Sequence, residues 1–200
     1  MERKETAADG AAAGATKQRI VDTAIQLFAR KGYAAASIAD ICREVPCSKG
    51  AVYHHFTSKE DLFVYITEQT FTASWERWSA IAAGYTTIVD KLYAFSEHFV
   101  DTMQRPLSKA AEEFLKNAAG DEARVKFGAI VMGFMANFES FIREGVESGE
   151  LKQQDPRELA FLILSFYSGL SDSYAFMPKE ELKPLFRNAT SLLLDGIRRT

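Results

Sequence analysis

Residues 17–68 read KQRIVDTAIQLFARKGYAAASIADICREVPCSKGAVYHHFTSKEDLFVYITE. Punctuation alone divides this stretch into helices. Ile20, Ala24, Leu27 and Phe28 recur at i, i+4, i+7 and i+8, one face of a helix that Gly32 can end as a left-handed cap. Ser37-Ile38-Ala39-Asp40 is a capping box, in which a hydroxyl and a carboxylate satisfy the free amides of a helix start. That second helix stops near Glu44, because Pro46 disfavours α conformation at Val45. Ser48 can cap a third helix that runs to His55 or Phe56 and turns Val52 and Phe56 inward. Ser58-Lys59-Glu60-Asp61 is a second capping box and opens a longer helix through Leu62, Ile66 and Thr70 toward Ala80. Three helices in so short a stretch, the second and third joined by a tight turn, have helix-turn-helix spacing.

Outward from this stretch the pattern stays helical. Residues 1–15 are small and polar without core periodicity and are expected to form a disordered arm. Leu92, Phe95 and Phe99 form one stripe, which Pro106 should end, and Phe114 and Leu115 suggest a shorter helix before Gly120. A long helix carrying Phe127, Phe134, Phe138 and Phe141 should run to about Glu147. Asp155-Pro156-Arg157-Glu158 is a strong helix start, with Asp at the N-cap and Pro at the first helical position. The segment it opens is apolar on two faces, so both should be buried. A last helix follows Pro178. The expected fold class is all-α: an N-terminal helix-turn-helix domain over 16–61 and a helical domain over 62–200.

Composition narrows the function. The 200 residues are 47% hydrophobic and 26% charged, with five prolines, twelve glycines and a net charge of −3, which describes a globular chain of long helices. Two cysteines cannot staple a chain of this length, which points to a reducing cytoplasm. Residues 1–14 lack the apolar core of a secretion signal, and the run Leu159–Leu170 is shorter than the ~20 residues that span a bilayer, so no membrane association is expected. The acidic total hides an uneven distribution: residues 17–59 hold seven Lys or Arg against three Asp or Glu, while residues 60–200 are acidic. An enzyme is not expected, since no paired carboxylates, nucleophile–base pair or phosphate-cradling glycine loop stands out; no cofactor is expected either.

The stretch from Lys17 to Glu68 closely resembles the DNA-binding domain of tetracycline-repressor (TetR) family regulators. The resemblance rests on Ala24-x-x-Leu27-Phe28 before Gly32-Tyr33, on Ser37-Ile38-Ala39-Asp40-Ile41, on Ser48 through Phe56, and on Lys59-Glu60-Asp61-Leu62, in that order and spacing. It implies a recognition helix with Ser48, Gly50 and Ala51 where backbone approaches the major groove, Lys49 near base edges, and Tyr53, His54 and His55 alongside. It further implies phosphate contacts from Tyr53, His54, Lys59 and Ser37. One departure is Pro46, where the family usually has glycine; proline is locked near φ −65°, so the turn must take another backbone solution.

Residues beyond Leu62 contain 13 of the 15 phenylalanines and both tryptophans. The resemblance implies that this half binds a hydrophobic small-molecule effector and dimerises through its last two helices, 156–176 and 179–198. Trp75, Trp78, Phe95, Phe99, Phe134, Phe138 and Phe166 are candidate walls of the effector site. His98, Asn137 and Asp172 are candidate polar anchors. The expected protein is thus a ligand-responsive regulator, most simply a repressor, that binds double-stranded palindromic operator DNA as a homodimer. Two other readings stand beside it: a helical ligand-binding protein without DNA binding, and a regulator that senses thiol oxidation through Cys42 and Cys47, which flank the turn. A zinc site from Cys42, Cys47, His54 and His55 conflicts with DNA contact, and no metal is expected.

Overall fold

The structure, a computed structural model, describes the backbone of residues 2–102, 105–118 and 120–197, and the side chains in those ranges other than 2–12 and 105–106. Its regular elements are α1 (Glu2–Lys31), α2 (Ile38–Glu44), α3 (Lys49–His55), α4 (Lys59–Ala82), α5 (Ile88–Thr102), α6 (Arg105–Asn117), α7 (Asp121–Glu147), α8 (Pro156–Leu170) and α9 (Lys179–Ile197), with a 3-10 turn over Ser171–Ala175. The all-α expectation holds among the described residues.

Three local expectations change. Helix α1 begins at Glu2, so residues 2–15 continue a helix in place of the expected disordered arm; this segment is rich in alanine, the best helix former, and has no proline. The α5 stripe ends at Thr102, and Pro106 is the second residue of α6, a position where its missing N–H removes no helical hydrogen bond. The most apolar long helix is α7, which by length and composition alone could cross a membrane; it buries Phe127, Phe138, Phe141 and Ile142 and leaves most of its apolar stretch uncovered within the chain.

The chain divides into two compact units, residues 1–69 with 104–127, and residues 70–103 with 128–200. The sequence boundary at 61/62 therefore falls inside the first unit, which also takes in α6 and the start of α7. In this unit Ile20, Ala24, Leu27, Ile41, Val52 and Leu62 are fully buried, bringing together the inward faces of α1 to α4. Beside them Phe28, Tyr33, Phe63, Phe114 and Phe127 pack ring on ring, with centroids 5.0–6.5 Å apart. Burial pushes the Tyr33 hydroxyl pKa well above its ordinary value, and the neighbouring Glu60 adds to the shift.

The second unit is built around Trp78, Phe95, Phe138, Ile142, Tyr167 and Phe186, all buried. Helices α5 and α9 run together, tied on their exposed side by Arg187 to Glu97 at 3.0 Å and Lys183 to Asp101 at 2.7 Å. Gly145 lets α7 cross close to its neighbours: a Cβ there would lie 2.7 Å from Ile88 and 2.8 Å from Leu151. Asp155 caps α8 by accepting the Arg157 amide, with Pro156 next in line, as its residues predict.

Candidate nucleic-acid interface

Helix α2 is held by reciprocal capping. The Ser37 hydroxyl accepts the Asp40 amide at 3.2 Å and donates to the Asp40 carboxylate at 2.8 Å, and the Ser37 amide donates to the same carboxylate at 3.0 Å. Ser37's hydroxyl, with Lys31 behind it, holds the Asp40 carboxyl below the usual carboxylate range. Arg43 also pairs with Asp40. Ser37 is exposed, as expected, but both of its protons are committed within the capping box.

Pro46 finds its solution in a tighter turn. Val45 is extended at φ −98°, ψ 123°, as a residue before proline must be, and its amide closes α2 on Ile41. The Cys47 amide then reaches back over Pro46 to the Val45 carbonyl at 2.6 Å. That i to i+2 hydrogen bond is a γ-turn, whose inverse form needs a central φ near −75°, within proline's range. No residue of the turn has positive φ. The recognition helix starts directly afterwards, with the Ser48 hydroxyl accepting the Ala51 amide at 3.1 Å.

On α3, Val52 is buried and Phe56, just past its end, joins the core, while Ser48, Lys49, Gly50, Tyr53 and His54 are exposed. Ala51 and His55 are half-buried. The structure thus brings the expected major-groove residues onto one outward surface. A Cβ on Gly50 would meet nothing closer than the Ser48 hydroxyl at 3.6 Å, so folding does not require glycine there. The rings of His54 and His55 lie 5.1 Å apart, and Lys17 sits 3.9 Å over the Tyr65 ring. Burial, then the His54 and Lys17 charges, push the His55 pKa below its ordinary value. The position of Lys17 against α4 emerges only on folding.

Lys59 is placed differently from the phosphate role expected of it. Its ammonium donates to the Tyr33 carbonyl at 3.0 Å and the Ala36 carbonyl at 3.1 Å, and lies 4.2 Å from the Tyr33 ring centroid. Burial lowers its pKa, against the opposing pull of Glu60 and Glu113. The side chain turns inward because carbonyls at a loop end need a donor that the backbone does not supply.

Cys42 and Cys47 are free and half-buried. Burial first, then Cys42, pushes the Cys47 thiol up, the opposite of what a reactive thiolate needs. Among the described residues no three His, Cys, Asp or Glu side chains are grouped to hold a metal.

In the second unit most of the expected effector residues belong to one apolar core, with Trp75, Phe99 and Phe134 packed against buried Trp78, Phe95 and Phe138. Trp78, Phe95, Phe138 and His98 come together: Phe95 lies 5.0 Å from Trp78 and 4.6 Å from Phe138, and the His98 ring is 6.0 Å from Trp78. His98 is buried, with Nε2 3.2 Å from the Ser74 hydroxyl. Phe99 joins through Tyr167 at 5.7 Å. Trp75 and Phe71, both half-buried, pack on Phe134. Asn137, Phe166 and Asp172 lie outside this core and are exposed. Asn137 follows the helical turn away from buried Phe138, Phe141 and Ile142, and Phe166 flanks the buried face that Ile163 and Tyr167 form on α8. Neither lines an interior site here. Ser74, Phe71 and Tyr167 had not been singled out; Ser74, one turn before Trp78, was the most readable of these.

Two family models match the chain. Residues 20–66 match the bacterial regulatory proteins of the tetR family, and residues 71–199 match the C-terminal region of QacR-like proteins. The fatty acid metabolism regulator protein of Bacillus subtilis is 24% identical over 182 residues, covering 90% of this chain and 94% of that protein. The biofilm operon icaADBC negative transcriptional regulator IcaR of Staphylococcus aureus is 28% identical over 195 residues, covering 90% and 97%. In fold, the chain resembles FadR of B. subtilis in complex with stearoyl-CoA, with TM-score 0.78, 21% identity and coverage of 90% and 99%. It also resembles a transcriptional regulator of Saccharomonospora viridis in complex with choline, with TM-score 0.77, 20% identity and coverage of 94% and 100%. Reading head and helical body together match across most of the sequence, and the chain belongs to the tetR family of bacterial regulatory proteins.

Proposed function

We propose that this protein is a cytoplasmic transcriptional repressor that binds a palindromic operator as a homodimer and is released by a hydrophobic small molecule of the fatty-acyl thioester class. The observation that carries the reading is the exposed face of Ser48, Lys49, Gly50, Tyr53 and His54 on a helix whose other side is fixed in a helix-turn-helix core. Small residues there admit close approach to bases, and the flanking polar groups suit phosphates. The homodimer is supported by Phe161, Leu162, Phe166 and Leu192, large apolar side chains that α8 and α9 leave 39–72% exposed.

The acyl class is supported by the ring-lined interior around Trp78, Phe95, Phe99 and Phe138, and by the likeness to a regulator crystallised with stearoyl-CoA. A separate hollow beside Leu92, Ile163 and Thr190 holds only about 10 Å³, far below the ~300–1,000 Å³ usual for such ligands, so it takes none without rearrangement. His98 and Ser74 offer that interior its polar contact. A duplex selected by the protein from a randomised pool tests the reading. Binding should weaken steeply with salt, by about 0.9 log units per log unit of salt for each phosphate neutralised. Stearoyl-CoA should then release the duplex and choline should not. Failure to select any duplex ends the regulator reading; release by choline alone ends the acyl reading.

A further inference from the structure

The loop between α1 and α2, residues 32–37, sets where α2 begins, and α2 in turn supports the recognition helix. Two side chains from far along the sequence hold it. Lys59 caps the Tyr33 and Ala36 carbonyls. Glu113, on α6, accepts the Ala34 amide through Oε2 at 2.9 Å, across 79 residues. Gly32 makes room for it: φ is +81°, and a Cβ there would lie 2.6 Å from both Glu113 oxygens. The carboxylate fills the space that only glycine leaves, at a conformation only glycine adopts freely. Its position is fixed from behind, because the next residue, Phe114, is fully buried with its ring 5.2 Å from Tyr33 and 5.0 Å from Phe63.

We infer that Glu113 is a positioning residue for DNA binding: it sets the pose of the 32–37 loop, and through it of α2 and α3, from outside the helix-turn-helix segment. The inference rests on the DNA-binding reading and adds to it a specific residue that the 20–66 match does not contain. An acidic residue near DNA should ordinarily improve binding when neutralised, since it repels phosphate. A positioning residue does the reverse.

The test uses the full chain and the duplex that the wild type selects. Glu113→Ala should weaken binding about tenfold, as expected for loss of a hydrogen bond to a charged acceptor. Glu113→Gln, whose amide oxygen can still accept from Ala34, should recover most of that affinity. Amide hydrogen exchange should rise in the alanine variant at Ala34 and its loop neighbours, with α1 and the body of α4 unchanged. In double-variant cycles, Glu113→Ala should be non-additive with Lys59→Ala, which acts on the same loop. Unchanged or tighter binding by Glu113→Ala overturns the inference. So does a general rise in exchange, or failure of Glu113→Gln to recover affinity, each of which assigns the carboxylate to stability alone. If the wild type selects no duplex, the DNA-binding reading falls first and the inference with it; a duplex bound equally by wild type and alanine variant sinks the inference alone.

Discussion

The unit that carries the reading head has its own ring cluster, but its loop and helix ends are fixed by single side chains that reach backbone atoms: Ser37 and Asp40 cap one another, Lys59 takes two loop carbonyls and Glu113 takes the Ala34 amide. In the unit of residues 70–103 and 128–200, Trp78, Phe95, Phe138, Phe141, Tyr167 and Phe186 hold one another by ring contact at 4.6–6.2 Å. Hydrogen bonds are directional and fix a pose, which suits a surface that must register with DNA. Ring packing stabilises through area and tolerates rearrangement, which suits an interior proposed to take up a hydrophobic effector. Substitutions should break the two units in different ways.

The largest effect falls on the ring-packed unit. Phe95→Ala leaves a cavity at the centre of that cluster and should cost about 3–5 kcal/mol in denaturant unfolding. Lys59→Met in the other unit should cost less, about 1–3 kcal/mol, by leaving two carbonyls without their charged donor. Its sharper consequence is for DNA. If Lys59 only tethers the loop, affinity falls while the slope of log K against log salt stays as in wild type. A phosphate contact would instead flatten the slope by about 0.9, and that result would restore the role expected from the sequence.

Those two residues mark what was legible beforehand. The Ser37–Asp40 capping box, the Ser58 hydroxyl cap of α4, the Asp155-Pro156 start and the stop before Pro46 could be read because each settles hydrogen-bonding needs within four or five residues, although Asp61 completes its cap on Thr57 and not on Ser58. The outward face of α3 followed from the same local periodicity. Long-range placement was not readable. Lys59 reads from the sequence as a phosphate contact, and only the fold puts the Tyr33 and Ala36 carbonyls beneath it; nothing near Glu113 announces a partner 79 residues away. Phe166 and Asn137 were misplaced for a related reason: aromatic spacing marks a helix face but not what that face meets.

A smaller effect, from a single proton, comes from His98. Burial, and secondarily the Arg77 charge, lower its pKa, while the Ser74 contact and Asp101 oppose the shift. The folded state therefore binds its proton less readily than the unfolded state. The stability associated with neutral His98 is present above the ordinary histidine pKa of about 6.5 and is lost as pH falls through the lowered value. Unfolding midpoints should drop on acidification more steeply in wild type than in His98→Asn. Equal slopes would place the pH dependence elsewhere.

Gly50→Ala should produce the smallest change in folding and separates folding from recognition most cleanly. The added methyl meets only the Ser48 hydroxyl at ordinary contact distance, and alanine is the better helix former by roughly 0.5–1 kcal/mol. The variant should therefore unfold at a slightly higher denaturant concentration. Folding does not need glycine at this exposed helical position, and the proposed DNA reading gives the space to the approach of a major-groove floor. Operator affinity should fall even as the fold gains stability. If both rise together, backbone approach at Gly50 is not how this helix reads DNA, and recognition must rest on Lys49, Tyr53 and His54 instead.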